Sequence, residues 1–549
     1  MKQAQKIELF SLLIFLFLAA CQTKREYQGK SIFRYNISAG VSSLDPAFAR
    51  SLENVSTSAQ LFNGLVQMDK NLKVKACIAK EWQILDSGKT YQFTLRQDVY
   101  FHEHELWKNK AERKVKASDF VYALNRLIDN ELISPGKWVM NAVKREEDGR
   151  LKVKAVNDST LQIKLKKPFP PFLGILSMQY CAVVPQKIVE HFGNDFRSNP
   201  IGTGPFQFQY WKENTKLVLL KNEEYFEIDA SGKPLPYLDA ISISFIKDEE
   251  VGFLKFLKGE QDYLSGLKGS YKDELLDAHG NLRPKYQGQF RLIQNPYLNT
   301  EYLGFYQAVE ESHPLKDKRI RKAINYGFDR QKMLKYLRNG IGYPAHSGFV
   351  PKGLPSFDST LVGYSYQPDS VKALLQAAGY PNGKGLPTIT LSTTAQYLDL
   401  CEYIQHQLKE FGIPIEVAVN QAATNNEMIA FGKLDFFRKS WVADYPDAEN
   451  YLSLFYTENF APEGPNYTHY SNTEFDSLYR KSMQLPQDEE RWKLYRQMDS
   501  LILEDAPVVP LFYDEVVRFI PHYISGIGVN PMNLLVLKYA KKKLEKGHP

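Results

Sequence analysis

The chain holds 549 residues, 43% of them hydrophobic and 24% charged, with a formal net charge of +6. That length is too great for one hydrophobic core and calls for two or three domains or lobes, in an otherwise ordinary soluble composition. The slight excess of base is spread along the chain, whereas a nucleic-acid binder gathers its basic residues into a working stripe, so that class is excluded.

Residues 1–20 open on Lys2 and Lys6, continue through an apolar run over 9–20, and close on Leu18-Ala19-Ala20-Cys21. Positive, then apolar, then small is the order of a secretory signal. The run is well short of the ~20 residues that span a bilayer. Its last four residues look like a bacterial lipobox, in which cleavage after Ala20 leaves Cys21 as a lipid-bearing N-terminus. Two or more acyl chains then give a stable tether. The plainer reading is a signal cut after Ala20, with Cys21 merely the next residue. Residues 22–30 are polar and read as a flexible leader. Removing residues 1–20 takes away Lys2, Lys6 and Glu8 and leaves a net charge of +5.

Residues 32–37 alternate as a strand and run into a turn at Leu44-Asp45-Pro46. Residues 60–65 look like a helix ending at Gly64. A strand over 91–96 is entered by the turn Asp86-Ser87-Gly88, and 118–126 has helical spacing with Ser118 as its cap. Beyond Asn199, residues 217–220 and 241–246 read as strands and 249–258 as a helix. A new block begins near residues 295–300. It carries helices over 317–328, 370–379 and 396–411 and strands over 388–392 and 415–420. Such β–α alternation argues for α/β lobes.

Few segments carry chemistry. Gly88-Lys89-Thr90 lacks the upstream glycine of a phosphate loop, since Gln83 stands in its place, and reads as a hairpin turn. His102 and His104 share one face of an extended segment. A closed metal site needs further ligands, so an exposed loop is expected here. The carboxylate pairs Glu249/Glu250, Glu310/Glu311 and Asp444/Asp447 read as surface charge, and no nucleophile elbow appears. The basic run over 538–546 reads as a solvated tail. With Cys21 set aside, Cys77, Cys181 and Cys401 make an odd, scattered set and read as buried thiols. The 33 Tyr, 33 Phe and 6 Trp suit either an amphipathic ligand surface or a core. Asn199-Pro200-Ile201-Gly202-Thr203-Gly204-Pro205-Phe206 fixes a stiff, sharply turning path before a strand over 207–210.

Taken in order, several segments resemble the oligopeptide-binding family of solute-binding proteins that serve bacterial ABC importers. They are Ser43-Leu44-Asp45-Pro46, Phe62-Asn63-Gly64-Leu65, Ile78-Ala79-Lys80-Glu81-Trp82 and Ala117-Ser118-Asp119-Phe120. Gly202 to Phe206 follows, then Pro236-Tyr237-Leu238-Asp239, then Asp317-Lys318-Arg319-Ile320-Arg321 with Asp329-Arg330. Trp441-Val442-Ala443-Asp444-Tyr445-Pro446-Asp447 and Ala506-Pro507-Val508-Val509-Pro510-Leu511 complete the series. Their order and spacing match over nearly the whole mature chain.

The resemblance implies an α/β fold of the two-lobe periplasmic-binding-protein type with a hinge. It places a signal peptide at 1–20 and a lipidated tether at 21–30. The first lobe would be discontinuous, over 31–62, 198–297 and 515–549, with an extra α/β subdomain at 63–197. The second lobe would be 298–514. The charged stretch 102–116 departs from the compact turn found in relatives, a difference of surface away from the ligand.

In peptide-binding members the aspartate of a Trp-x-x-Asp motif meets the ligand's α-ammonium, and that residue here is Asp444. The backbone of Ser440-Trp441-Val442 would pair with the peptide like a neighbouring strand, and Arg50-Ser51-Leu52 would do so from the other lobe. Such strand addition holds a backbone without reading its side chains. Arg438 matches a basic position that meets a ligand carboxylate or acidic side chain. The Trp441 and Tyr445 side chains would complete the wall, and Arg50 adds positive charge to the flanking segment.

The function implied is that of a monomeric, non-catalytic receptor, lipid-anchored through Cys21 and exported to the periplasm or cell surface. It would need no metal and no cofactor. It would capture short peptides, close its hinge and present the closed form to ABC permease subunits. Three alternatives remain open at this point. They are a receptor of the same fold for a metal chelate, haem or oligosaccharide, a secreted hydrolase, and a surface adhesin or signalling receptor.

Overall fold

The computed structural model describes residues 29–266 and 269–543. The expected signal peptide, Cys21 and the leader up to residue 28 lie outside the described residues.

Three sheets organise the molecule. In the first lobe Ile32–Asn36 lies parallel to Ala240–Ser244, which pairs antiparallel with Lys216–Lys221 and through it with Phe206–Lys212. An antiparallel sheet of Ala79–Leu85, Thr90–Leu95, Thr160–Lys164 and Val153–Asn157 forms the extra region. The second lobe holds a seven-stranded mixed sheet in which Val508–Pro521, Phe290–Phe305, Phe436–Val442, Ile389–Thr393 and Ile415–Val419 follow one another. The two-lobe α/β fold expected from the sequence is therefore present.

Local sequence explains most of these elements. Thr90–Leu95 buries alternate residues as its pattern predicts. In Lys318–Tyr326 the spacing of Ile320, Ala323 and Ile324 puts all three on the buried face. Asp317 caps that helix by accepting the Arg319 N–H at 2.8 Å. Two expectations shift. The helix Leu52–Leu61 ends before Gly64, and Ala117–Arg126 starts with the Asp119 carboxylate accepting the Lys116 N–H at 2.8 Å, so Ser118 is not its cap. Many of the aromatic residues prove to be core. Tyr302, Phe349, Tyr451, Phe455, Phe475 and Tyr495 pack into one buried cluster of the second lobe. Cys77, Cys181 and Cys401 are buried and unpaired, as expected.

The glycine-rich turn before Phe206–Lys212 joins three parts of the fold. The Gly204 N–H donates to Leu61 O at 2.8 Å, and Thr203 Oγ1 donates to Asn63 Oδ1 at 3.2 Å, so the turn lies against the end of the helix Leu52–Leu61. His102 reaches it from the extra region. Its backbone N–H donates to Gly202 O at 2.8 Å, while its Nδ1 accepts the Gly202 N–H at 3.2 Å and its Nε2 meets Gly204 O at 3.0 Å.

The exposed loop expected over 102–116 is thus corrected at two places. His102 is buried, and so is Arg113, which donates to Phe101 O at 3.1 Å and pairs with Glu224 at 2.7 Å. Gly202, Gly204 and Glu224 lie about a hundred residues from these side chains in sequence, beyond the reach of any local pattern.

A ring nitrogen that accepts a backbone N–H has no room for a proton. Burial accordingly pulls the His102 imidazole down from 6.5 to about 4. The native state therefore holds His102 neutral while the unfolded chain takes up a proton below pH 6.5. Stability from this group is complete above pH 6.5 and is lost as pH falls toward 4, at no more than about 1.4 kcal/mol per pH unit. Thermal unfolding across that window is expected to show a shallower slope for His102→Gln than for the unsubstituted protein. Parallel curves would show that His102 does not titrate with unfolding.

The basic C-terminal run is also corrected where it is described. Lys538 is buried and bonds Glu227 at 2.5 Å and Gln67 at 2.8 Å, and Lys542 bonds both Asp262 oxygens at 2.8 Å and Ile32 O at 3.0 Å. These lysines clasp the chain end to the first lobe. A charge run alone cannot report such a role, because the partners are supplied by distant carboxylates.

Two long strands of the seven-stranded sheet, Phe290–Phe305 and Val508–Pro521, run side by side. Their antiparallel register shifts between Pro296 and Thr300, with Pro296 opposite Glu515 and Thr300 opposite Tyr513. Each lobe also lends a side chain to the other: Leu72 packs in the aromatic cluster of the second lobe and Tyr445 in the core of the first.

Candidate ligand-binding cleft

Phe436–Val442 pairs along one edge with Phe290–Phe305 as far as Val442 opposite Asn299. On its other edge Ile389–Thr393 reaches only Phe436 and Phe437. Among the described residues, that second edge carries no strand partner from Lys439 to Val442. It therefore offers free backbone donors and acceptors beside the cleft.

Past this edge the chain turns through Ala443 to Asp444, and Asn450 pins the turn. Its Oδ1 accepts the Trp441 indole N–H at 2.9 Å and the Asp444 backbone N–H at 3.2 Å, and its Nδ2 donates to Asp444 Oδ2 at 3.4 Å. Asp444 is solvent-accessible and makes no ion pair among the described residues. The protein crowded round it raises its carboxyl above the usual range, and the Asn450 bond opposes that rise. Its charge acts on the hydroxyls of Tyr451 and Tyr467 in its own lobe and of Tyr180 in the extra region. A carboxylate so placed lacks only a cation.

The other expected residues take varied positions. Arg438 is buried, pairs with Glu301 and stacks on the Tyr397 ring. Its charge is thus matched within the lobe, and burial raises the Glu301 carboxyl even so. Ser440 and Val442 lie on the half-open edge described above. Tyr445 is buried, donates its hydroxyl to Glu449 and lies with its ring centroid 6.4 Å from that of Trp138 in the extra region. It links the lobes. Asp447 accepts from Arg491 at 3.2 Å, which gives it a structural task.

In the first lobe Arg50 is exposed and forms no ion pair among the described residues. Ser51 has extended backbone with φ −85° and ψ 156°, and its Oγ caps the helix Leu52–Leu61 by accepting the Asn54 N–H at 3.3 Å. Leu52 begins that helix and is 36% exposed, and the Arg50 N–H already donates to Phe48 O at 2.8 Å, so Ser51 is the one residue of the three with a recorded extended conformation.

Sequence reading missed three neighbours. Asn450 was legible only as one polar residue among many. Tyr180 comes from far upstream, where its hydroxyl is pushed up to about 12 by burial and then by Asp444, with Arg50 acting the other way. Lys439 follows Arg438 but points to the opposite face. Its ammonium bonds Asn426 at 3.1 Å and sits 4.3 Å from the Tyr467 ring centroid, and burial with the Arg438 charge lowers it to about 8.

The model of a family described as bacterial extracellular solute-binding proteins, family 5 middle, matches residues 73–462. The chain is 25% identical over 503 residues to the glutathione-binding protein GsiB of Salmonella typhi, covering 90% of this chain and 91% of that protein. It is 26% identical to the dipeptide-binding protein DppE of Bacillus subtilis, covering 94% and 93%. Among solved structures, HbpA2 from Haemophilus parasuis superposes with a TM-score of 0.81 at 22% identity, over 93% of this chain and 100% of that one.

Proposed function

Because the chain belongs to the family 5 extracellular solute-binding proteins, which serve ABC importers, we propose that its solute is a short peptide with a free amino terminus. One observation carries the reading. Asp444 is a carboxylate with no counter-ion among the described residues, set immediately after the open strand edge at 439–442. An ammonium enclosed there would be matched in charge, and the peptide backbone would satisfy the groups that no strand satisfies.

The peptide lies between the lobes, with Ser440, Trp441 and Val442 on one side and Arg50, Ser51 and Leu52 on the other. Closure pivots where the long strands change register, near Pro296 and Glu515, which separates a first lobe of 31–62, 198–297 and 515–549 from a second of 298–514. The contacts of Tyr445 with Trp138, and of Leu72 with the second lobe, lie at the mouth and favour the closed form. The protein acts as a monomer without chemistry on its cargo, and a permease takes the cargo from the closed state. Cys21, at the end of the lipobox-like Leu18-Ala19-Ala20-Cys21, supplies the anchor through its lipid.

Mass spectrometry of the protein purified from its native membranes tests both parts. The expected spectrum holds peptides released on denaturation and an N-terminal fragment beginning at an acylated Cys21. Haem, a metal chelate or an oligosaccharide as the released species would overturn the peptide reading. An unmodified Cys21 would overturn the anchor.

A further inference from the structure

A cavity of about 780 Å3 opens beside Arg50 in the first lobe, walled by the 42–54 segment, the end of Ala117–Arg126 with the loop after it, and residues 193–197. Arg50, Arg126 and Arg197 line it, against a single carboxylate, Asp45. Two of the three guanidinium groups are already matched. Arg126 forks onto Asp45 at 2.8 and 2.6 Å, and Arg197 pairs with Glu213 at 2.7 Å.

Arg50 has no such partner among the described residues, and Asn194, which also lines the cavity, is exposed with no hydrogen bond to its side chain among them. Glu53, the nearest acid in sequence, acts on Tyr297 and does not line the cavity. The charges of Arg50 and of Asp444 both act on the Tyr180 hydroxyl, in opposite directions.

Resting on the peptide reading above, we propose that this cavity is a subsite for a carboxylate carried by the ligand, held by Arg50 and Asn194. The ligand then bridges the lobes by charge: its ammonium meets Asp444 in the second lobe and its carboxylate meets Arg50 in the first. A guanidinium fork suits a carboxylate better than any other common anionic group of a peptide, because two parallel N–H donors match its two oxygens. The Arg126–Asp45 pair stiffens the floor, so the subsite is formed before the ligand arrives. The carboxylate can come from an acidic side chain or from the peptide's C-terminus.

Titration calorimetry with four tripeptide probes tests this and separates the two sources. The probes are Ala-Ala-Ala and Ala-Glu-Ala, each with a free or an amidated C-terminus. The best carboxylate-bearing probe is expected to bind at least ~10-fold tighter than amidated Ala-Ala-Ala. That ratio should collapse toward one in Arg50→Gln and recover in part in Arg50→Lys. The probe that loses most identifies whether side chain or terminus fills the cavity. Equal binding of charged and neutral probes, or a preference that persists in Arg50→Gln, overturns the subsite while the peptide reading stands. Failure of the unsubstituted protein to bind any of the four overturns both.

Discussion

Replacing Asp444 by asparagine is expected to weaken binding of a free-amine peptide by about 2–4 kcal/mol, or roughly 30- to 1,000-fold. The amide keeps the shape of the side chain and can still meet Asn450, so the turn that carries it is preserved. What is lost is the negative charge facing the ammonium. In the open cleft Asp444 is hydrated, but it stands among the hydroxyls of Tyr180, Tyr451 and Tyr467, so closure over a ligand removes that water. An ammonium enclosed without a counter-charge then bears its desolvation cost alone.

The same reasoning fixes the control. N-acetylation of the peptide should cost the unsubstituted protein a similar factor, and the two changes together should cost far less than their sum, because both remove one interaction. Unchanged affinity in Asp444→Asn, or strict additivity, would place the ammonium elsewhere.

Replacing Gly204 by alanine is expected to destabilise the first lobe by about 3 kcal/mol or more. A Cβ there would lie 2.4 Å from Leu61 C and 2.5 Å from Gln60 O, and at Gly202 it would lie 2.0 Å from Leu61 O. These are backbone atoms at the end of a helix, so no side chain can swing aside. The turn and the helix would have to part, breaking the Gly204–Leu61 bond and the His102 contacts with it. Gly288→Ala serves as the comparison, since nothing lies within 4 Å of its Cβ and its φ of −76° suits any residue. Denaturant unfolding should place Gly288→Ala within about 0.5 kcal/mol of the unsubstituted protein. Comparable stability for both variants would show that the turn yields. Because Ser51 caps the affected helix and Leu52 begins it, Gly204→Ala should also loosen the 50–52 segment.

Much of the architecture was readable before any coordinates. Local sequence pattern marked the strands near residues 91–96 and 415–420 and the helices near 317–328 and 396–411, because strand and helix periodicities depend on neighbours within one or two turns. The two glycines before Phe206 announced a constrained turn, since close backbone approach is what the missing Cβ permits. What that turn touched was not readable. His102 looked like part of a charged loop and proved to be buried against Gly202 and Gly204.

The cleft divides in the same way. Asp444 stood out through its motif, and its position beside an unpaired strand edge follows from the short reach of Ile389–Thr393. Arg438 looked equally available, yet Glu301 from the neighbouring strand matches its charge. Lys538 and Lys542 looked like a solvated tail, yet Glu227 and Asp262 hold them to the first lobe.

The sequence alone therefore determined the α/β alternation and the family, and it singled out Asp444 as the candidate site residue. All of these rest on local spacing or on short motifs kept in order. The tertiary structure decided which charges are matched and which are left open, because a counter-ion hundreds of residues away leaves no local trace. Arg438, Lys538 and Lys542 are each held by a partner brought from afar, while Arg50 and Asp444 form no ion pair among the described residues.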